Sequence, residues 1–452
     1  MSFKLRKVND GFVLAKRALS AKPTPKVAEK QEASRSLKQT KLPNGLLVIG
    51  LENYAPVARV GVFVRAGARF ETQANYGVTH CLRNAAGFST KKSTIFGITR
   101  NLEHIGGFLT ATATREDMIY KLGNSRQYSE SNLGYLADTV TRPAYKPWEL
   151  EDFAYRMETE CEQLKINREA ALIELLHKAA FRGGLSNSLY SPDYMLGHHD
   201  HNMLMEYFND YYLSKQMVVV GLGLDHDYLV DFVEKNFTMN NGEVKPSKPS
   251  KFVSTEVRID QNEDVALAAV VTEGASTKNF KDMLCLSLFQ HLLGSGPRIK
   301  YNPGGSILQD AASKASQNPS VVSALNISYS DSGLFGFVVA GAADDMNSLI
   351  KGIVGRMRET AKSLKDEHLV KAKNALKTSY LMDLESNDSL LDEIGTQALN
   401  FGKVLSLPEL EAAIDGITLS DLSSVANRVM KGKGAMASMG KLHNMPYLED
   451  IV

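Results

Sequence analysis

Residues 77–84 read Gly-Val-Thr-His-Cys-Leu-Arg-Asn, and the spacing predicts a helix that puts His80 and Asn84 on one face with Arg83 beside them. Two imidazoles four residues apart can clamp a zinc ion, and a carboxylate one residue before the second can take a proton from the bound water. Only the first of those three groups is present here. Arg83 stands where the base would be, and Asn84 where the second imidazole would be. A guanidinium takes no proton, since its pKa exceeds about 12, and it adds a fixed positive charge beside a would-be dication. The expectation for His80, Arg83 and Asn84 is therefore a degenerate motif, with no catalytic residue and no metal, and His80 partly packed on a helix face.

The other groups capable of chemistry read as structural. His198, His199 and His201 flank Asp200. Adjacent side chains point apart on any regular element, so a polar loop or helix start before Met203 is expected rather than a metal site. Gly294, Gly296, Gly304 and Gly305 bracket the basic stretch Arg298–Tyr301, but the spacing of a phosphate loop is missing and no nucleotide site is expected. Cys81, Cys161 and Cys285 form no Cys-x-x-Cys pair and lie on predicted helices, as small buried hydrophobes suited to a reducing compartment. The single Trp148 follows Pro147 at a helix start, where packing is the default role. No haem or flavin fingerprint occurs, so no cofactor is expected.

The elements that must position these groups begin at the turn Leu42–Gly45 and the apolar run Leu46–Leu51. A second strand follows over Ala58–Val64, helical spacing over 78–88 and 101–106, and strands over Phe108–Thr114 and Met118–Leu122. Trp148–Ala180 reads as one or two long amphipathic helices ended by Gly183-Gly184. Val57–Ala68 can be laid over Val265–Ala275, each a β-rich run closing on Gly-Ala and followed by a helix, with Gly67 and Gly274 207 residues apart. This points to a duplication of a domain of about 205 residues: 41–240 and 256–452, joined by a charged, proline-bearing linker at 241–255.

The first 40 residues differ in kind. Ten Lys and Arg face only Asp10, Glu29 and Glu32, and Phe3, Val8, Phe12, Val13 and Leu14 interleave with them, the pattern of a mitochondrial targeting arm followed by a linker. Over the whole chain 52 Lys+Arg balance 51 Asp+Glu, and 43% of residues are hydrophobic. Such a composition excludes collagen-like and wholly disordered classes and leaves no electrostatic footprint for nucleic acid. No apolar run approaches the roughly 20 residues of a bilayer span.

Gly67–Glu71, Gly77–Asn84, Leu102–Gly107 and Thr112–Glu116 resemble the pitrilysin-type metallopeptidases, in particular the mitochondrial processing peptidase branch. Cys285–Arg298, Ser328–Phe337, Tyr190–Tyr194 and Asp392–Ala398 are similar to the core subunits of the mitochondrial ubiquinol cytochrome c reductase, respiratory complex III, within that branch. The resemblance runs from about residue 41 to the C-terminus. It implies an α+β fold of two related domains, each a mostly antiparallel sheet backed by helices. It also implies a non-catalytic subunit, peripheral on the matrix side of the inner membrane in a dimeric complex, with core protein 1, cytochrome b, cytochrome c1 and the Rieske protein as partners. The family's third zinc ligand would fall among Glu158, Glu160 and Glu162. The alternative within the branch is a presequence-binding, non-catalytic subunit of the processing peptidase, whose glycine-rich loop the stretch at 294–305 matches poorly.

Overall fold

The structure, a computed structural model, describes residues 37–239, 242–245, 248–296 and 306–451. The expected arm up to Ser36, part of the linker, and residues 297–305 of the glycine-bearing loop lie outside them.

The N-terminal half holds strands β1 (Lys38–Lys41), β2 (Leu47–Leu51), β3 (Val57–Val64), β4 (Phe108–Ala113) and β5 (Met118–Ser125), the short β6 (Phe181–Arg182) and β7 (Met217–Leu222). Its helices are α1 (Val78–Asn84), α2 (Ile95–His104), α3 (Ser129–Thr141), α4 (Pro147–Ile166), α5 (Arg168–Ala180), α6 (His201–Tyr211) and α7 (His226–Asn236). The C-terminal half holds the short β8 (Lys251–Phe252), then β9 (Glu256–Asp260), β10 (Val265–Glu273), β11 (Val321–Ser328), β12 (Gly333–Ala342) and β13 (Gly434–Gly440). Its helices are α8 (Phe280–Leu293), α9 (Ile307–Ala315), α10 (Met346–Lys362), α11 (Asp366–Leu384), α12 (Asn387–Phe401), α13 (Leu407–Asp415) and α14 (Leu419–Met430).

The first sheet runs β1-β2-β7-β3-β5-β4 and the second β11-β12-β10-β13-β9. The β2–β7 and β9–β13 pairs are parallel and the rest antiparallel, so each strand of the second sheet has a counterpart in the first. The Gly-Ala pair that closes each repeat has the same work in both. The Gly67 amide donates to Glu116 O at 3.0 Å, and the Gly274 amide to Gly333 O at 2.8 Å. A Cβ on Gly67 would lie 2.5 Å from the Arg115 carbonyl, and one on Gly274 3.0 Å from the Leu334 backbone. Only glycine lets the end of the central strand lie this close to the neighbouring hairpin.

The continuous apolar runs in β3, β7 and β10 are explained by burial of both faces of each sheet. In β10, Ala266, Ala268 and Val270 enter the core beneath α8–α10 and α14, while Leu267, Ala269 and Val271 point the other way. The helices on that second face are exchanged between the halves. Helix α5 of the N-terminal half lays Leu172, Leu176 and Ala180 on β10 and β13 of the second sheet. Helix α12 of the C-terminal half lays Leu391, Ile394 and Ala398 on Phe63, Val218, Val220 and their neighbours in the first. The approach of α12 is close. One edge of the buried Phe63 ring lies against two glycines, and a Cβ on Gly395 would lie 2.2 Å from it and one on Gly61 2.8 Å.

A polar interlock joins the halves as well. Arg69 donates to Glu116 at 2.7 Å and, from the same guanidinium, forms a paired contact with Asp331 in the β11–β12 turn. Ser330 N–H donates to Glu116 Oε2 at 2.9 Å. His177 on α5 gives its Nδ1 hydrogen to Ile173 O, so Nε2 accepts from Tyr329 OH at 2.7 Å. Burial first, then the Arg115 charge, drives the His177 pKa down to about 3 and keeps it neutral.

Three expectations need correction. Residues 38–40, assigned to the arm, belong to β1, whose Lys-Gln-Thr-Lys sequence pairs with β2 through its backbone and offers no apolar alternation. The span 148–180, expected as one or two helices, is two, divided at Asn167, whose side chain caps α5 by accepting from Ala170 N at 3.2 Å. The first motif helix ends at Asn84 rather than near 88. Trp148 is not packed: it is 60% exposed. The three cysteines, in contrast, are buried on helices as expected.

Candidate degenerate metal site

The motif helix α1 starts at Gly77, whose φ of +83° and close approach to Ser191 require glycine. The carboxylate of Glu71 caps it, accepting from Gly77 N at 2.8 Å, Thr79 N at 2.9 Å and Thr79 Oγ1 at 2.6 Å. Burial outweighs those three hydrogen bonds and pushes the Glu71 pKa up to about 7. Val78, Cys81 and Leu82 then fix α1 in the core of the first sheet, which leaves His80, Arg83 and Asn84 facing α4.

All three converge on one oxygen. Glu160 Oε2 lies 2.9 Å from His80 Nε2 and 3.1 Å from Asn84 Nδ2, and it accepts the shortest contact from Arg83 Nη2. Of the three candidate acids, the structure brings Glu160 to the site. Glu158 and Glu162 are exposed, and Glu162 pairs with Lys165. On the far side of the imidazole, the Ser191 amide donates to His80 Nδ1 at 3.1 Å. His80 is fully buried rather than partly packed. The Tyr190 ring closes the site, its centroid 5.3 Å from the His80 ring and 5.5 Å from the Arg83 guanidinium carbon.

These contacts fix every proton. With Nδ1 accepting from Ser191, the hydrogen of neutral His80 sits on Nε2 and is given to Glu160. Burial lowers the His80 pKa, only partly opposed by Glu160, so the ring stays neutral. Burial alone would raise the Glu160 carboxyl, but the hydrogen bonds from His80 and Asn84 and the Arg83 charge outweigh it and hold it at about 2. A metal on Nε2 would move the hydrogen to Nδ1, where it would meet the Ser191 N–H donor head on. The Arg83 guanidinium thus occupies the place a cation would take beside Glu160. It can neither accept a proton nor activate a water.

A cavity of about 560 Å³ opens beside the site, lined by Arg83, Arg156, Glu160, Gln163 and Tyr190 and by Leu109–Thr112 of β4, the outer strand of its sheet. The remaining sequence candidates do not join it. Asp200 caps α6 by accepting from Met203 N at 2.8 Å, while His199 Nε2 faces Tyr76 O and His201 Nδ1 faces Tyr145 O, each 3.0 Å away. Sequence reasoning missed Glu71, the Ser191 amide and Tyr190 as parts of the site. For Glu71, an acid six residues before a helix-opening glycine was a signal available in the sequence. For a backbone amide 111 residues from His80 there was none.

Residues 47–193 match the profile described as insulinase (peptidase family M16), and residues 200–376 match that of the peptidase M16 inactive domain. The chain belongs to peptidase family M16. It is 36% identical over 419 residues to the mitochondrial cytochrome b-c1 complex subunit 2 of Mus musculus, covering 92% of each chain. With the subunit of that name from Homo sapiens it shares 34% over 442 residues, 97% of each. The probable mitochondrial-processing peptidase subunit alpha-1 of Arabidopsis thaliana is more distant, at 28% over 434 residues, 94% of this chain and 86% of that one. The α+β fold with two related sheets agrees with the two matched domains.

Proposed function

We propose that this chain is a non-catalytic structural subunit of the mitochondrial ubiquinol cytochrome c reductase, in the position of core protein 2. In this reading it supports assembly and stability of the complex that passes electrons from ubiquinol to cytochrome c. Its place is the matrix side of the inner membrane, against core protein 1, in a dimeric complex with cytochrome b, cytochrome c1 and the Rieske protein. An obligate interface of that kind buries roughly 2,000 Å² or more. Among the described residues no helix is long and apolar enough to cross a membrane, and the reading places attachment on protein partners.

The observation that carries it is the 34–36% identity to cytochrome b-c1 complex subunit 2 over at least 92% of both chains. The site geometry supports the non-catalytic part. His80 offers a bound hydrogen rather than a lone pair, and Arg83 already neutralises Glu160, so the set does not fit zinc and supplies no base. The decisive experiment is purification of the tagged chain from mitochondria in mild detergent. Haem b and haem c absorbance should co-elute in fixed ratio to the chain, and a chain that migrates free of both refutes the proposal.

A second reading, a presequence-binding subunit of the processing peptidase, is favoured by the 27–28% identity to the alpha subunits of that enzyme. Titration with a fluorescent presequence peptide, with and without a catalytic partner, tests it. Absence of both binding and stimulation removes it.

A further inference from the structure

Helix α4 is apolar on two opposite sides. Leu150, Met157 and Cys161 are buried against the N-terminal half. On the other side Trp148, Tyr155 and Ile166 are 60%, 75% and 80% exposed. Steps of seven and eleven residues each return to within about 20° of the same direction at roughly 100° per residue. The three side chains therefore form one stripe, about 27 Å long, facing away from the core. Single exposed hydrophobic residues need no explanation, but a line of Trp, Tyr and Ile has the composition of interface anchors.

The edges of the stripe carry sign. Glu151, Asp152, Glu158 and Glu162 are exposed beside it. The two cations of this face are engaged within the helix, Arg156 with Glu160 at 3.5 Å and Lys165 with Glu162 at 2.6 Å. The stripe is thus bordered by net negative charge. Near its N-terminal end the Lys146 ammonium already lies over the Trp148 ring, 5.5 Å from its centroid, a contact that a partner's cation can repeat along the stripe.

We propose that this outward face of α4 is a permanent docking surface for a different subunit, whose contacting segment presents apolar side chains edged by Lys or Arg. A second copy of this chain fits poorly, because it would set one row of acids against another. The inference rests on the reading that the chain works inside an assembly, and names which surface holds it there.

The test replaces Tyr155 with the photo-crosslinker p-benzoylphenylalanine in the full chain, followed by irradiation of the native particle isolated from mitochondria. The expected product is one adduct with a different polypeptide, at a segment bearing Lys or Arg within one helical turn of the crosslink. The paired variant E151K/E158K, at two exposed positions outside the core, should lower the salt concentration that strips the chain from the particle about two-fold or more. An adduct with a second copy, no adduct at all, or unchanged salt resistance each overturns the proposal. A particle without haem b and haem c refutes the functional reading alone, and the adduct still decides the surface.

Discussion

The exchange of helices between the halves turns on how closely α12 approaches the first sheet, and that can be tested at one atom pair. A methyl group at Gly395 would stand 2.2 Å from the Phe63 ring, and the same Cε2 edge of that ring already lies so near Gly61 that a Cβ there would stand 2.8 Å from it. Relief requires α12 to retreat by about 1 Å, and overpacking of that degree costs about 1–3 kcal/mol. Alanine is also the better helix former by about 1 kcal/mol, so the net loss for G395A is about 0–2 kcal/mol. F63L removes the obstacle at a cost of its own of about 1.5 kcal/mol. In the double variant the methyl group has room, and only the helix-propensity gain of alanine remains. The double variant should therefore be no less stable than F63L alone, a coupling of about 1–3 kcal/mol. Denaturant unfolding gives the cycle. Hydrogen exchange supplies the location: G395A, although in the C-terminal half, should speed exchange in β3 and β7 of the N-terminal half. If the two substitutions add to within about 0.5 kcal/mol, or if exchange changes only around α12, the packing argument is wrong.

Three further outcomes follow from the side chains described. Glu160 has a folded pKa of about 2 against an ordinary 4.5, so its contribution is complete above the higher value and is lost as pH falls toward the lower. E160Q should remove roughly 1.5 kcal/mol of stability at neutral pH, after allowance for its partial exposure, and flatten the acid limb of the stability curve between those values; a parallel limb in the two proteins contradicts this. D331A takes away the paired partner of a buried guanidinium while leaving Glu116 in place, and should cost about 2 kcal/mol in chemical unfolding, against a null result if the interlock is only a surface pair. W148A should change the stability of the isolated chain by less than about 0.5 kcal/mol, and the fluorescence of this single Trp should be open to iodide quenching; protection in the isolated chain would contradict its exposure.

The repeat was legible because Gly67 and Gly274 are constrained by the same backbone approach, and a constraint on backbone leaves the same letter in both copies. The failure of the motif at Arg83 and Asn84 was legible because it depends on residue type alone. What replaces the ion was not. Choosing Glu160 from three acids in a row of alternate residues requires the rotation of α4 about its axis, which the sequence does not record. The exchange of α5 and α12 was hidden for a related reason: Leu172, Leu176 and Leu391 show that these helices have an apolar face, but any apolar sheet satisfies that face equally. Trp148 misled because exposure is decided by the rest of the fold, and the apolar residues on both sides of α4 gave no single inward direction.

The exchanged helices also set an order of events during synthesis. Arg65 at the end of β3 meets Asn400 at the end of α12, 335 positions later in the chain. When the ribosome has finished the first sheet, the segment that covers its outer face has not been made. Until it arrives, Leu47, Ile49, Val218 and Val220 present a bare β surface to water, or to a chaperone. Contacts this distant make closure slow. The nascent N-terminal half is therefore the aggregation-prone stage in the life of this protein, and α12 is the element that ends it.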